Sequence, residues 1–225
     1  MAVSSLFRLL FFVFIITFVD GKCRDDQKTL LLELKSELVF DSSISKRLVK
    51  WNETDDCCKW RGVGCDDSGR VISLELQGEG ISGRIGESSS LFRLTYLSKL
   101  DLSGNFATSE IPNQFHRLPN LASLGLSSSG FVGPIPSTLA NLTQLVELHL
   151  SNNFLTGSIP SFHNCKNLES IYFSDNKLKG SLSHLHFQGL KNLSVLDLSQ
   201  NALNGTIPHH LFTLPSISYL FLSYS

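Results

Sequence analysis

The chain has 225 residues, 42% of them hydrophobic, and a formal net charge of −1 from 19 basic and 20 acidic side chains spread along it. No run of Lys or Arg supplies the electrostatic footprint that nucleic acid or an anionic lipid surface would need, so neither is expected as a partner. The length would allow a large single core, but an internal repeat overrides that expectation.

Residues 1–21 read as a signal peptide. Arg8 supplies a positive charge, Leu9 to Val19 is almost wholly apolar, and Val19 and Gly21 are small enough for a signal peptidase. The apolar run is short for a membrane span. Residues 22–66 read as an amino-terminal cap. Asp25 and Asp26 are placed to cap a helix and oppose its dipole, and Leu30, Leu31, Leu34 and Leu38 form one apolar stripe at helical spacing. A second, shorter helical piece is expected over Ser45 to Trp51. Such an amphipathic segment would cover the open end of a stack of repeats. Cys23, Cys57, Cys58 and Cys65 fall in this region. A bond between adjacent Cys57 and Cys58 would be strained, which leaves two pairings open. Zinc is disfavoured: no CxxC occurs, and neighbouring cysteines do not easily reach one tetrahedral ion.

Residues 67–225 are repetitive. In Leu145 to Pro160, LVELHLSNNFLTGSIP, apolar Leu145, Leu148 and Leu150 flank polar Glu147 and His149, as on a strand with one buried face. Copies start at Val71, Leu97, Leu121, Leu145, Leu168, Leu193 and Ile217, with steps of 26, 24, 24, 23, 25 and 24 residues. A period of this size means stacked units, about six plus a partial seventh. Three residues before the starts the column reads Leu94, Leu118, Leu142, Cys165, Leu190 and Leu214, so Cys165 is expected to be a small core hydrophobe. Eight residues after the starts stand Asn105, Ser129, Asn153, Asn176 and Asn201, suited to satisfying backbone groups of adjoining coils. Glu79 and Ser225 occupy this column in the first and last copies and are expected to be its weakest rungs.

Several motifs invite chemistry. Gly78 to Gly83 matches GxGxxG, but the following RIGESSS has no helical apolar stripe, and Gly83 aligns with Gly133, Gly157, Gly180 and Gly205 as a turn glycine. His184, His186, His209 and His210 follow the strand portions of their repeats with no carboxylate at metal-ligand spacing, and read as surface loop histidines. No Ser, Cys or Asp sits in a recognisable nucleophilic setting, so no catalytic residue, metal ligand or cofactor is assigned and the chain is not expected to be an enzyme. Asn52, Asn141, Asn192 and Asn204 each open a glycosylation sequon.

The order of a signal, CRDDQKTLLLELK, a CCKWRGVGC box and repeats of the form LxxLxLSxNxLxGxIP resembles the extracellular region of plant leucine-rich repeat receptor-like proteins, most closely the disease-resistance, Verticillium-wilt-resistance-like group. The resemblance implies an α/β solenoid: a right-handed superhelix with a parallel concave sheet and a disulfide-bonded helical cap. It also implies pairing of Cys23 with Cys57 and of Cys58 with Cys65. Family members detect extracellular peptide or protein ligands and signal with co-receptor kinases, in defence or development, at the cell surface. Ser109-Glu110 and Leu182-Ser183 depart from the Gly-x-Ile-Pro pattern, which alters local turns. The chain stops inside its seventh repeat and is expected to be a truncated or short secreted form. The same repeats and box also resemble secreted inhibitors of microbial wall-degrading enzymes.

Strand alternation then gives the ligand-facing columns. Two residues after each start stand Ser73, Lys99, Ser123, Glu147, Ser170, Val195 and Tyr219; four after stand Glu75, Asp101, Gly125, His149, Tyr172, Asp197 and Phe221. These vary while the core columns repeat. Glu147, His149, Tyr172, Asp197 and Tyr219 are the expected recognition residues, favouring a basic or amine-bearing peptide.

Overall fold

The computed structural model describes residues 21–183 and 185–223. The signal peptide expected over residues 1–21 lies outside them, apart from Gly21. No helix among the described residues is long and apolar enough to cross a membrane.

Each repeat contributes one short strand, and these strands stack into an eight-stranded sheet that begins with Val63–Cys65 and runs through Val71–Glu75, Lys99–Asp101, Ser123–Gly125, Glu147–His149, Ser170–Tyr172 and Val195–Asp197 to Tyr219–Phe221. Only the first pair is antiparallel. The others are parallel and in register, so Lys99, Ser123, Glu147, Ser170, Val195 and Tyr219 form one row, and Asp101, Gly125, His149, Tyr172, Asp197 and Phe221 the next. The period of the sequence enforces that register, because a one-residue slip would turn every leucine outward. Leu97, Leu100, Leu121, Leu124, Leu145, Leu148, Leu168, Ile171, Leu193 and Leu196 are fully buried. Each such side chain contributes roughly 1.5–3 kcal/mol when removed from water. Cys165 is buried among them as a free thiol whose pKa burial pushes up to about 11.

A second parallel sheet, which the sequence pattern did not announce, joins Val132–Pro134, Phe154–Gly157, Lys177–Ser181 and Ala202–Asn204. Short 3-10 helices, including Asn113–Arg117 and Ser137–Asn141, carry the chain back toward the first sheet. Among the described residues the only α-helix, Asp25–Glu37, belongs to the cap.

Buried asparagines tie the coils together. Asn153 Nδ2 donates to Leu126 O at 3.0 Å and Leu150 O at 2.9 Å, while its Oδ1 accepts from Ser129 N and Phe131 N. Asn105, Asn176 and Asn201 repeat the arrangement, and Ser129 fills its place with one hydroxyl proton shared between Leu102 O and Ser127 O. One rung differs from expectation. Glu79 is 1% exposed, and its carboxylate accepts from Ser45 Oγ at 2.6 Å and from the backbone N–H groups of Lys46, Arg47 and Leu48, with Arg47 Nη1 at 3.1 Å. It joins the cap to the first repeat and is not a weak rung. Burial alone would raise its pKa, but the hydrogen bonds from Ser45, Arg47 and Leu48 and the Arg47 charge outweigh that and hold it below the usual value.

The cap also departs from expectation at its helix. Arg24 is the N-cap residue and makes no side-chain cap, while Asp25 and Asp26 lie in the first turn, where they oppose the helix dipole. Over Ser45 to Trp51 only Leu48–Lys50 is helical, as a 3-10 turn. The helix packs on Ser90–Arg93 of the first repeat, where Glu37 accepts from Ser89 Oγ and Ser90 N and Glu33 pairs with Arg93 at 2.8 Å. Trp51 and Trp60 stack at 5.1 Å beneath it. Disulfides join Cys23 to Cys57 and Cys58 to Cys65. The sulfurs of Cys23, Cys57 and Cys58 lie within 4.8 Å of one another, a gathering that the two bonds account for.

Candidate functional site: the concave sheet

The outward rows of the eight-stranded sheet hold the candidate site, because alternation aims the residues between the core leucines at solvent. Parallel register then brings His149 beside Tyr172, and their rings stack at 4.8 Å with an 11° interplanar angle. Glu147 lies on the same strand, its carboxylate 3.9 Å from His149 Nε2 and accepting from Ser123 Oγ at 2.9 Å. Asp197 follows Tyr172 in the row, and its Oδ1 accepts from Ser199 Oγ at 2.6 Å and Ser199 N. Tyr219 is 60% exposed, lies next to Val195 in the other row, and stacks with Phe221 at 6.5 Å. Glu147, His149, Tyr172 and Asp197 are thus neighbours, while Tyr219 stands apart, paired with Phe221 rather than with them.

The chemistry on offer is recognition. Flat aromatic faces lie beside carboxylates whose remaining lone pairs are open to solvent, a combination suited to apolar stacking with charged hydrogen bonds at its edge. These five residues are the recognition set expected from strand alternation. Beside them is a hollow that alternation alone does not show. Lys99, Asp101, Ser103, Ser123, Gly125, Ser127, Glu147 and His149 line a depression of about 280 Å³. Lys99 pairs with Glu75 at 2.8 Å, and that bond, with the charges of Glu75, Asp101 and Glu147, holds its ammonium pKa above the ordinary lysine value. The signal available in the sequence was Gly125 itself, the one residue without a side chain in an outward row.

The sequons lie off these rows. Asn141, Asn192 and Asn204 are exposed, while Asn52 is half-buried and closes a turn by accepting from Thr54 N and Asp55 N. His186, expected to be a surface loop histidine, is half-buried, and its Nδ1 accepts from Ser183 N at 2.9 Å; burial lowers its pKa.

Comparison with known proteins agrees with this architecture. Residues 24–66 match a leucine-rich repeat N-terminal domain, and residues 96–118, 143–185 and 179–225 match leucine-rich repeat models. Receptor-like protein 12 of Arabidopsis thaliana is 42% identical over 94 residues, 40% of this chain and 11% of that protein. The chain spans about a tenth of the length of such curated relatives. Among solved structures, the BIR2 ectodomain from Arabidopsis thaliana is 33% identical with a TM-score of 0.68, covering 81% of this chain and 96% of that one. A plant ice-binding protein is 31% identical with a TM-score of 0.77, covering 91% and 65%. The plant peptide hormone receptor RGFR1 in complex with RGF2 is 31% identical with a TM-score of 0.59, covering 64% and 22%. Stacked repeats, an asparagine ladder, a disulfide-bonded cap and these relatives lead to one assignment: the chain belongs to the leucine-rich repeat family, among the receptor-like proteins of plants.

Proposed function

We propose that this chain is the ligand-recognising part of a cell-surface receptor-like protein that binds an extracellular peptide or protein on its concave sheet, in defence or developmental signalling. One observation carries the reading: the outward rows vary from coil to coil while the core rows repeat, and the variation gathers Glu147, His149 and Tyr172 into one stacked, acid-edged cluster. Aromatic faces beside charged groups are common anchors of binding surfaces. RGFR1, a structural neighbour, is a peptide hormone receptor solved in complex with RGF2, and that likeness supports a peptide as the ligand class. A co-receptor kinase is the second partner that this reading calls for. The disulfides fit an oxidising, extracellular setting.

The test is retention of a random peptide library on the immobilised, secreted protein. Wild type is expected to enrich peptides bearing Lys, Arg or a free amine. Joint alanine replacement of Glu147, His149, Tyr172, Asp197 and Tyr219 is expected to abolish the enrichment. Equal enrichment by both proteins would move the site off the sheet.

A further inference from the structure

The two disulfides of the cap stand in different surroundings. Cys23 and Cys57 are 5% and 0% exposed and belong to the hydrophobic core. Cys58 and Cys65 are half-buried at the edge of that core, and both border a hollow of about 650 Å³ in the surface of the cap. Lys22 and Lys59 border the same hollow, together with Asp56, Asp66 and Asp67. Of these carboxylates, Asp56 is engaged by the backbone N–H groups of Cys23 and Cys58, and Asp66 by the Arg70 side chain. The first bond closes a sequence separation of 34 residues and the second only 7. Opening the short loop therefore returns less freedom to the unfolded chain than opening the long one.

What the short bond holds is also held by other means. Cys65 ends the strand Val63–Cys65 at the edge of the eight-stranded sheet, which pairs with Val71–Glu75 and receives a bond from Glu75 N at Gly62 O, 2.7 Å long. Inside the loop, Trp60 is 6% exposed and stacks on Trp51. Cys58 N donates to Asp56 Oδ1 at 3.1 Å. Cleavage leaves these contacts in place and frees mainly the Gly64–Cys65 end of the strand, where the pairing register already shifts.

We propose that Cys58–Cys65 is a redox-modification site, opened in the folded protein by a low-molecular-weight thiol entering from the hollow, while Cys23–Cys57 stays closed. The thiolate of the reductant attacks one sulfur of the pair. The Cys58–Cys65 bond breaks, a mixed disulfide forms on the attacked cysteine, and the other cysteine leaves as a thiolate. A second reductant thiolate attacks the outer sulfur of the mixed disulfide and releases the remaining cysteine thiolate. The two reductant thiols end as their own disulfide, the protein pair has gained two electrons, and the released thiolates exchange protons with solvent. Access favours this bond over the buried one, and the ammonium groups of Lys22 and Lys59 favour the leaving thiolates. The product loosens the edge of the concave sheet beside Ser73, the partner of Gly64, whatever that sheet binds.

The probe is reduced glutathione, mixed at graded ratios with its disulfide and added to the native, secreted chain. Free thiols are trapped with iodoacetamide and mapped by mass spectrometry. Cys58 and Cys65 are expected to be labelled at least about tenfold sooner than Cys23 and Cys57, with a glutathione adduct on one of them as the intermediate. Cys165 is the internal control: it is a free thiol at 0% exposure, so its labelling would report global unfolding, and it is expected to stay unlabelled. Labelling of all four cap cysteines together, or of Cys58 and Cys65 only once Cys165 is labelled too, would overturn the proposal. The joint replacement Cys58→Ser and Cys65→Ser gives a second check. It is expected to be secreted with Cys23 still bonded to Cys57, and to shift amide signals only near residues 58–66 and in the facing strand Val71–Glu75. Loss of folded signals throughout the repeats would show that the bond is structural and would also overturn the proposal.

Discussion

The cap and the repeats of this chain are held together by different means. Between coils the bonds are many, neutral and alike: Asn105, Asn153, Asn176 and Asn201 each reach the preceding coil, and a leucine layer repeats beneath them. The cap meets the first repeat through a few singular contacts. One disulfide spans 34 residues, the Glu79 carboxylate gathers five donors from Ser45 to Leu48, and Glu37 reaches Ser89 and Ser90. Repetition spreads stability over neighbours, whereas a singular contact has no understudy. Damage at the cap should therefore cost more per residue than damage within the stack.

The largest expected effect is loss of the long disulfide. Replacing both Cys23 and Cys57 by Ser should lower unfolding free energy by about 3–4 kcal/mol in the chain-entropy model, read from denaturant midpoints. A loss below about 1 kcal/mol would remove the covalent half of the contrast. Glu79→Ala comes next, at about 3 kcal/mol, because it strands the partly buried Arg47 and three backbone donors. Asn153→Ala should cost about 2–3 kcal/mol, since the carbonyls of Leu126 and Leu150 lose their donor in the core. If Asn153→Ala proved worse than Glu79→Ala, the ranking of cap over stack would be wrong.

Acid should act on the same junction. Folding lowers the Glu79 pKa from the ordinary value of 4.5, so its stabilisation is complete above that value and is lost as pH falls through the folded pKa. Glu79→Gln should thus lose less stability than wild type between neutral and acid conditions, as measured by denaturation at several pH values. An unchanged pH slope would show that Glu79 does not link cap stability to protonation. The smallest effect belongs to the stack. Gln200 holds φ near 54° at a turn where Gly78 and Gly104 occupy the equivalent place in other coils. Gln200→Gly should raise stability by about 1 kcal/mol or less, and a fall would show that the Gln200 side chain contributes more than its backbone strain removes.

The same contrast explains what could be read from the sequence. Repeated features were legible because each copy checks the others: the leucine rows, the place of Cys165 in the core and the turn glycines all follow from alignment of the chain with itself. Singular features had no such check. Glu79 looked like a defective asparagine because its partners, Ser45 to Leu48, lie about 31–34 residues earlier in a segment without a repeat. Asp25 and Asp26 had the composition of caps, but the chain turns into the helix one residue sooner, at Arg24. The lateral sheet was hidden because its strands are only three to five residues long and three of the four contain a positive-φ glycine that reads as a turn. At the candidate site, alternation gave the outward rows, but the hollow depends on what stands either side of Gly125, which only register reveals.

Hydroxyl-radical footprinting with a library-selected peptide tests the central claim most directly. The protein carries oxidisable aromatics on both surfaces: His149, Tyr172, Tyr219 and Phe221 on the concave sheet, and the exposed Phe106 and Phe154 elsewhere on the coils. Bound peptide is expected to protect His149 and Tyr172 most strongly, with Tyr219 next, and to leave Phe106 and Phe154 oxidised as in the free protein. Protection of Phe106 and Phe154, with His149 and Tyr172 unchanged, would contradict recognition on the concave sheet.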